Sequence, residues 1–284
     1  IAAQTAKQVV IQRIREAERE MVFDEYIDRE EDIITGIVQR TEQKNVIVDL
    51  GKTEALLLAS EQMPGDIYKQ GERIKAYITE VRKTTKGPQI FLSRTHPGLL
   101  KRLFELEVPE IYDGTVEIKS VAREAGYRSK LAVWSKNKDV DPVGACVGPK
   151  GARVQAIVNE LHGEKIDIVK WDEDPQVFVA NALSPSKVIS VELHPEQKLA
   201  SVVVPDYQLS LAIGKEGQNA RLAAKLTGWK IDITSESKAA EKPSAPEARQ
   251  QQEREPVSVN SGPAEEMPAD DAGASRGDED NETA

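Results

Sequence analysis

The chain has 284 residues, a hydrophobic content of 39% and a net charge of −10, so it is long enough for two or more domains with buried cores. No apolar run approaches the roughly 20 residues that cross a bilayer, and no signal peptide is visible. The single cysteine, Cys146, excludes a disulfide framework, and the three separated histidines offer no metal-ligand spacing. We therefore expect a cytoplasmic protein without a metal or another cofactor.

The negative charge is concentrated at the two ends of the chain. Residues 1–32 carry 5 basic and 9 acidic side chains, and residues 238–284 carry 5 basic and 12 acidic ones. The remaining 28 basic and 27 acidic side chains leave the middle nearly neutral. Local basic patches in the middle are compatible with a nucleic-acid partner, although the overall charge does not establish one.

The first part of the chain predicts a helix followed by a small barrel. Residues 1 to about 20 place apolar side chains at helical spacing, and we expect 1–32 to be the end of a larger N-terminal domain. Residues 33–96 contain five β-like runs separated by Gly and Pro turn signals, which is typical of a small closed barrel. These runs are ITGIVQR, NVIVDLG, EALLLAS, RIKAYITEVR and QIFLSR.

The second part contains an internal repeat. Residues 97–173 and 174–237 both read as αββααβ, with a period near 66 residues. In each copy a Gly-x-x-Gly motif interrupts a helical segment, in VGACVGPKGAR and in LSLAIGKEGQNAR. Glycine inside a helix is less favourable than alanine by on the order of 1 kcal/mol, so the repeated glycines indicate that both helices are interrupted for a structural or functional reason. Residues 238–284 lack large apolar side chains, and we expect a disordered acidic tail.

A Gly-x-x-Gly turn between two helices is suited to binding a sugar–phosphate backbone. Corners without side chains allow another backbone to approach closely. Free N–H groups and the positive dipole end at the start of the second helix favour a phosphate. A single copy would indicate only a turn in a helical hairpin, whereas two copies in the same frame, each with a lysine, favour phosphate binding.

The order of these parts resembles the NusA family of bacterial transcription factors, on the runs DPVGACVGPKGARVQ and LAIGKEGQNARLA. The resemblance implies a multidomain α+β fold, with an S1-type OB barrel followed by two tandem type II KH domains. It also implies a monomeric transcription elongation factor that is not an enzyme. By the same resemblance, residues 1–32 are the C-terminal helix of a truncated N-terminal domain, through which such a factor mainly binds RNA polymerase. Such a factor binds nascent single-stranded RNA, RNA polymerase and other Nus factors, and acts in pausing, termination and antitermination.

The resemblance assigns RNA binding to both glycine loops and to a basic cluster of the barrel. The residues of the first loop are Gly148, Pro149, Lys150, Gly151 and Arg153. Those of the second loop are Gly214, Lys215, Glu216, Gly217, Asn219 and Arg221. Glu216 is an unfavourable neighbour for a phosphate, which leaves two alternatives: its side chain points away, or the second loop holds RNA less strongly. The barrel residues are Arg82, Lys83 and Lys86, with Arg94 nearby. Solvated surface charge remains the alternative for the barrel cluster, for Arg153 and for Arg221.

The remaining aromatic residues and the cysteine favour packing. Tyr68, Tyr77 and Phe91 of the barrel segment are predicted to lie in the core, so base stacking by the barrel is not expected. Core positions are also predicted for the tryptophans at 134, 171 and 229. Cys146 lies among small residues before the first loop, which indicates close packing rather than thiol chemistry.

Three other functions remain open from the sequence. A nucleotide-binding enzyme would need G-x-x-x-x-G-K-[ST], but Gly144 to Gly148 is one residue too short and Pro149 stands where lysine is required. An RNA-binding module of ribosome assembly, translation or RNA decay would use the same parts. A structural adaptor that has lost RNA binding is compatible with the nearly neutral middle of the chain.

Overall fold

The computed structural model describes residues 2–85 and 87–241. The predicted RNA-binding residue Lys86 and most of the predicted acidic tail, 242–284, lie outside the described residues. The first residues of that predicted tail belong to helix α9 (Glu236–Glu241). Within the described ranges, no helix is both long enough and apolar enough to cross a membrane.

Helix α1 (Ala2–Ile27) is attached to the barrel by its C-terminal turns. Val22 and Phe23 pack against the barrel core, and Tyr26 is buried in it. At the same end of the helix, Lys83 Nζ donates to Glu20 Oε1 at 2.8 Å. The predicted helix is therefore confirmed, and its last turns pack with the barrel.

Five strands form a closed barrel, as the sequence predicted. Their order around the barrel is β1-β2-β3-β5-β4. Strand β3 pairs with β5 in parallel, and the other neighbours are antiparallel. In β2, Val46 and Val48 point inward on alternate positions and are buried. The strands are β1 (Ile33–Glu42), β2 (Asn45–Asp49), β3 (Glu54–Leu57), β4 (Arg73–Thr84) and β5 (Gly87–Ser93).

The first repeat unit has the predicted αββααβ order with one additional short helix, α3, after its first helix. Its three strands form a sheet in the order β6-β7-β8, in which β8 runs parallel to β7. The helices are α2 (Pro97–Glu107), α3 (Pro109–Tyr112), α4 (Pro142–Val147) and α5 (Ala152–Glu160). The strands are β6 (Val116–Glu124), β7 (Arg128–Ser135) and β8 (Lys165–Lys170).

The second repeat unit has the same topology. Its sheet has the order β11-β10-β9, and β11 runs parallel to β10. The helices are α6 (Pro175–Ala182), α7 (Leu209–Ile213) and α8 (Gln218–Thr227). The strands are β9 (Ser190–His194), β10 (Leu199–Val204) and β11 (Lys230–Ser235). The predicted multidomain α+β fold, with an OB-type barrel and two type II KH units, is confirmed.

The two units share an apolar core because the first sheet is covered on both faces. Leu131 and Val133 of β7 pack on one face with helices of their own unit. Ala132 of the same strand packs on the opposite face in one cluster with Leu222 and Leu226 of α8. Helix α8, which begins at the second glycine loop, is therefore held directly against the first unit.

A buried arginine joins the barrel to the first unit. Arg94 is 1% exposed, and its Nε donates to Asp66 Oδ2 at 3.2 Å. Its Nη1 donates to the Lys75 carbonyl at 2.6 Å and its Nη2 to the Glu160 carbonyl at 3.1 Å. The sequence placed Arg94 near a basic surface cluster, which is wrong because these partners hold the guanidinium between the two domains.

A second buried pair lies within the first unit and reaches the barrel junction. Arg123 Nη2 and Glu164 Oε2 are 2.8 Å apart, and both side chains are fully buried. Arg123 Nη1 also donates to the His96 carbonyl at 2.8 Å. Removing one partner of such a pair leaves an uncompensated buried charge, so the loss of either junction arginine would destabilise the contact between the barrel and the first unit.

The predictions for the tryptophans and the cysteine have different outcomes. All three tryptophans are half-buried, and Trp171 and Trp229 pack against the core cluster that contains Ala132 and Leu222, so the core assignment is correct only in part. Trp134 and Trp171 lie at the ends of β7 and β8, where Lys119 Nζ is 4.5 Å and 5.2 Å from their ring centres. Cys146 is fully buried as predicted, and this burial raises the pKa of its thiol to about 12.

We predict that Arg94→Met destabilises the protein by about 3–5 kcal/mol, because the buried Asp66 carboxylate then loses its guanidinium partner. Urea unfolding measures the change. Arg40→Met is the matched control, since Arg40 pairs with Glu54 on the surface and should cost less than about 1 kcal/mol. Equal losses for the two variants would contradict the junction role of Arg94.

Candidate nucleic-acid interface

The first glycine loop is a left-handed turn between α4 and α5. Asp141 caps α4 by accepting from the Val143 and Gly144 amides. The helix ends at Gly148, with φ 74° and ψ 174°, and the chain then turns through Lys150 at φ 54° and Gly151 at φ 78°. Because Gly151 offers no side chain to cap α5, the start of this helix is open to an external acceptor.

The second loop has the same backbone conformation between α7 and α8. Gly214 has φ 78° and ψ 171°, Glu216 has φ 53°, and Gly217 has φ 74°. These angles agree with those of the first loop within about 5°, so the two sequences GPKG and GKEG form one structure twice. The repeat found in the sequence is therefore also a repeat of local geometry.

The first position of each loop requires glycine for two reasons: its φ is positive, and a side chain would clash with the following helix. A Cβ added to Gly148 would lie 2.7 Å from Arg153 Cγ. A Cβ added to Gly214 would lie 2.8 Å from the Asn219 backbone nitrogen. The second helix of each unit therefore packs directly against the first glycine of the loop, where no side chain intervenes. We call this contact the closed base of the loop.

The residue five positions after the first glycine joins the helices in both units. Arg153 Nη1 donates to the Ala145 carbonyl at 2.6 Å and to Glu110 Oε2 at 2.9 Å. The corresponding residue, Asn219, is buried, and its Nδ2 donates to the Ala212 and Leu183 carbonyls at 3.0 Å and 3.1 Å. Asn219 was expected to bind RNA, and in this structure its amide nitrogen is occupied by these interior hydrogen bonds.

Arg221 is tied to the first unit rather than left free. Its Nε donates to Glu124 Oε1 at 2.6 Å, and its Nη1 donates to the Glu216 carbonyl at 3.2 Å. Glu124 Oε2 also accepts from Gln218 Nε2 at 2.8 Å. The hydrogen bond from Arg221 lowers the pKa of the Glu124 carboxyl.

The sequence did not reveal Glu110 and Glu124 as partners of the loop arginines. They lie 43 and 97 residues before Arg153 and Arg221, and no local pattern connects them. In contrast, the residues at the tips of the loops are where the sequence placed them. Pro149, Lys150, Lys215 and Glu216 are all exposed.

Family models match almost the whole described chain in three consecutive segments. Residues 27–93 match the S1 RNA binding domain, residues 94–171 the NusA-like first KH domain, and residues 175–241 the NusA-like second KH domain. The last two matches contain the two loops with the shared backbone.

Curated relatives agree with the family models. A relative from Mycobacterium bovis, named Transcription termination/antitermination protein NusA, is 53% identical over 246 residues, which cover 84% of this chain and 71% of the relative. The chain belongs to the NusA family. Relatives with the same name from Halalkalibacterium halodurans and Bacillus subtilis are 74% and 73% identical over 241 residues, covering 85% of this chain in both cases. The chain spans 63% and 65% of the lengths of these two NusA relatives.

The basic cluster on the barrel of this NusA-family chain is largely paired with carboxylates. Arg82 bonds to Glu80, with its Nη2 at 2.6 Å from Oε2, and lies over the half-buried Phe91 ring. Lys83 bonds to Glu20 of α1, and this bond lowers the pKa of the Glu20 carboxyl. The cluster therefore offers less free positive charge than its sequence suggested. Tyr77 is buried as predicted, whereas Tyr68 is half-buried.

We predict that Gly214→Ala destabilises the protein more than Gly217→Ala. Both glycines have positive φ, and the left-handed strain alone costs about 1–2 kcal/mol. Only at 214 does the new methyl meet backbone, so we expect a total of about 3 kcal/mol there, while a Cβ at 217 meets nothing within 4 Å. Urea unfolding of both variants provides the comparison, and equal losses would show that the closed base of the loop is unimportant.

Proposed function

We propose that this chain binds single-stranded RNA through its two glycine loops, as the RNA-binding part of a transcription termination/antitermination factor. The names of the NusA relatives support a role in transcription termination and antitermination, and the S1 and KH family models support RNA as the ligand. In this proposal the factor acts in the cytoplasm as a monomer, contacting RNA polymerase, nascent RNA and other Nus factors. The barrel extends over 33–96 and the two KH domains over 97–173 and 174–237.

The observation that carries the proposal is the duplicated loop geometry. Each loop exposes its two central residues, and each is followed by a helix whose first residue has no side-chain cap before it. Helix α5 has 9 residues and α8 has 10, so each presents a positive dipole end at its loop. A KH module uses such a loop to hold about four nucleotides by their backbone.

Lys150 supplies the clearest positive charge at these loops. It is exposed at the tip of the first loop and has no hydrogen-bond or ion-pair partner among residues 2–85 and 87–241. Arg82, Lys83, Arg153 and Arg221 each form an ion pair with a carboxylate, whereas Lys150 forms none within the part of the chain that the structure describes. A phosphate at the start of α5 would therefore meet both the helix dipole and a free ammonium group.

The barrel positions the KH units and makes a smaller contribution to RNA binding in this proposal. Its basic side chains Arg82 and Lys83 form ion pairs with carboxylates. Stacking of bases would need an exposed aromatic face, and Arg82 lies over the ring of Phe91. Arg94 and Arg123 fix the barrel against the first unit. RNA that extends beyond the loops would therefore contact the barrel without finding a second strong phosphate site there.

The proposed role is regulatory and not enzymatic, and family membership favours transcription over the alternative role in ribosome assembly, translation or RNA decay. A nucleotide-binding enzyme is the competing class. Binding of labelled ATP or GTP tests it, and we expect no saturable binding because neither loop has the residues of a P-loop.

We predict that Pro149–Lys150→Asp–Asp weakens the binding of single-stranded RNA by about tenfold at physiological salt, because it replaces a free cation with two carboxylates. Fluorescence anisotropy with a labelled RNA of mixed sequence measures the affinity, and the far-UV circular dichroism spectrum should stay unchanged.

The matched control is Gln197–Lys198→Asp–Asp in the turn between β9 and β10. This pair undergoes the same change in charge, and Lys198 has a left-handed backbone with φ 47°, close to that of Lys150. We expect the control to change the affinity by less than about twofold. An unchanged affinity in the loop variant, or an equal loss in both variants, would refute a working first loop.

A further inference from the structure

The two loops differ in charge at one backbone position. Lys150 and Glu216 are both third in their Gly-x-x-Gly motifs, with φ/ψ of 54°/23° and 53°/27°. Their Cα–Cβ bonds therefore leave the two loops in the same direction. The same backbone position therefore carries a lysine in the first unit and a glutamate in the second.

The surroundings do not cancel this difference. Neither Lys150 nor Glu216 has a side-chain partner within the part of the chain that the structure describes, and both are exposed. Arg221, the nearest additional cation of the second loop, donates to the Glu216 carbonyl but pairs its charge with Glu124. Lys215 is the remaining cation of that loop without an ion-pair partner among residues 2–85 and 87–241, and Glu216 is next to it in the chain.

We propose that the two loops bind RNA unequally, and that Glu216 is the residue that lowers the affinity of the second loop for a backbone phosphate. The first loop then holds most of the phosphate charge through Lys150. The inference deepens the proposed function and rests on it, since it assigns different shares of the same RNA-binding surface to its two halves.

The physical reason is the interaction of like charges. A phosphate at the start of α8 would approach a carboxylate that has no hydrogen bond or ion pair within the described chain and interacts with Arg221 only at longer range. The helix dipole and Lys215 still favour the phosphate, so the second loop keeps some affinity. Binding by two linked sites with unequal strength would let the RNA leave the second loop while the first holds it.

A set of single charge changes tests the proposal. The swap is sterically allowed in both directions, because each position already holds a non-glycine residue in the left-handed conformation. We expect Glu216→Lys to tighten binding of a labelled single-stranded RNA about three- to tenfold near 0.1 M salt. The slope of log Kd against log salt should steepen by about 0.7, the value for one more phosphate contact on a single strand. Lys150→Glu should weaken binding and make the slope shallower by a similar amount.

The double variant, Lys150→Glu with Glu216→Lys, separates loop identity from overall charge. Its net charge equals that of the original chain, so long-range electrostatics are unchanged. If the loops are equivalent apart from these residues, the affinity returns to within about twofold of the original value. A double variant that binds as weakly as Lys150→Glu alone would overturn the assignment of Glu216.

The control for a nonspecific charge effect is Glu196→Lys in the exposed turn between β9 and β10. It adds the same charge as Glu216→Lys, and we expect a change in affinity of less than about twofold. An equal gain in affinity from both variants would overturn the inference. Failure of the unaltered chain to bind single-stranded RNA would refute the proposed function itself, whereas binding that is insensitive to Glu216→Lys would refute only the unequal loops.

Discussion

The left-handed backbone of the Gly-x-x-Gly turn is the constraint on which the rest of the candidate interface depends. Three of the four residues in each turn have positive φ, which L-residues with side chains adopt only at a cost. The turn is held because the following helix packs on the bare first glycine and because Arg153 or Asn219 ties that helix to the preceding one. This turn places the uncapped N-terminus of the second helix next to the two exposed central residues of the loop.

The parts that the sequence predicted correctly are those with local signals. The five barrel strands and the αββααβ repeat follow from alternation, helical spacing and turn residues. The loops are visible because only glycine suits their corners. Side-chain partners are different, because Arg153 and Glu110, or Arg94 and Asp66, become neighbours only after folding. Arg94 looked like a surface charge for this reason, and the half-buried tryptophans looked like core residues because they border apolar strands.

The pairing of charges explains how a nearly neutral region can still present a site for an anion. Most of the arginines and lysines discussed here bond to carboxylates, either inside the protein, as in Arg123–Glu164, or on the surface, as in Lys83–Glu20. Such pairs stabilise domain junctions or solvated faces and contribute little free charge. The lysines at the loop tips lack such ion-pair partners within residues 2–85 and 87–241. Function is therefore indicated by the distribution of unpaired charge more than by net charge.

The central claim is that the backbone of single-stranded RNA contacts both glycine turns at once. Photo-crosslinking of the chain to single-stranded RNA, followed by mapping of the linked peptides, tests it most directly. The account predicts crosslinks in the two peptides that contain residues 148–151 and 214–217, lost together when unlabelled RNA competes. Crosslinks confined to the barrel or to α1, with none at either turn, would contradict it.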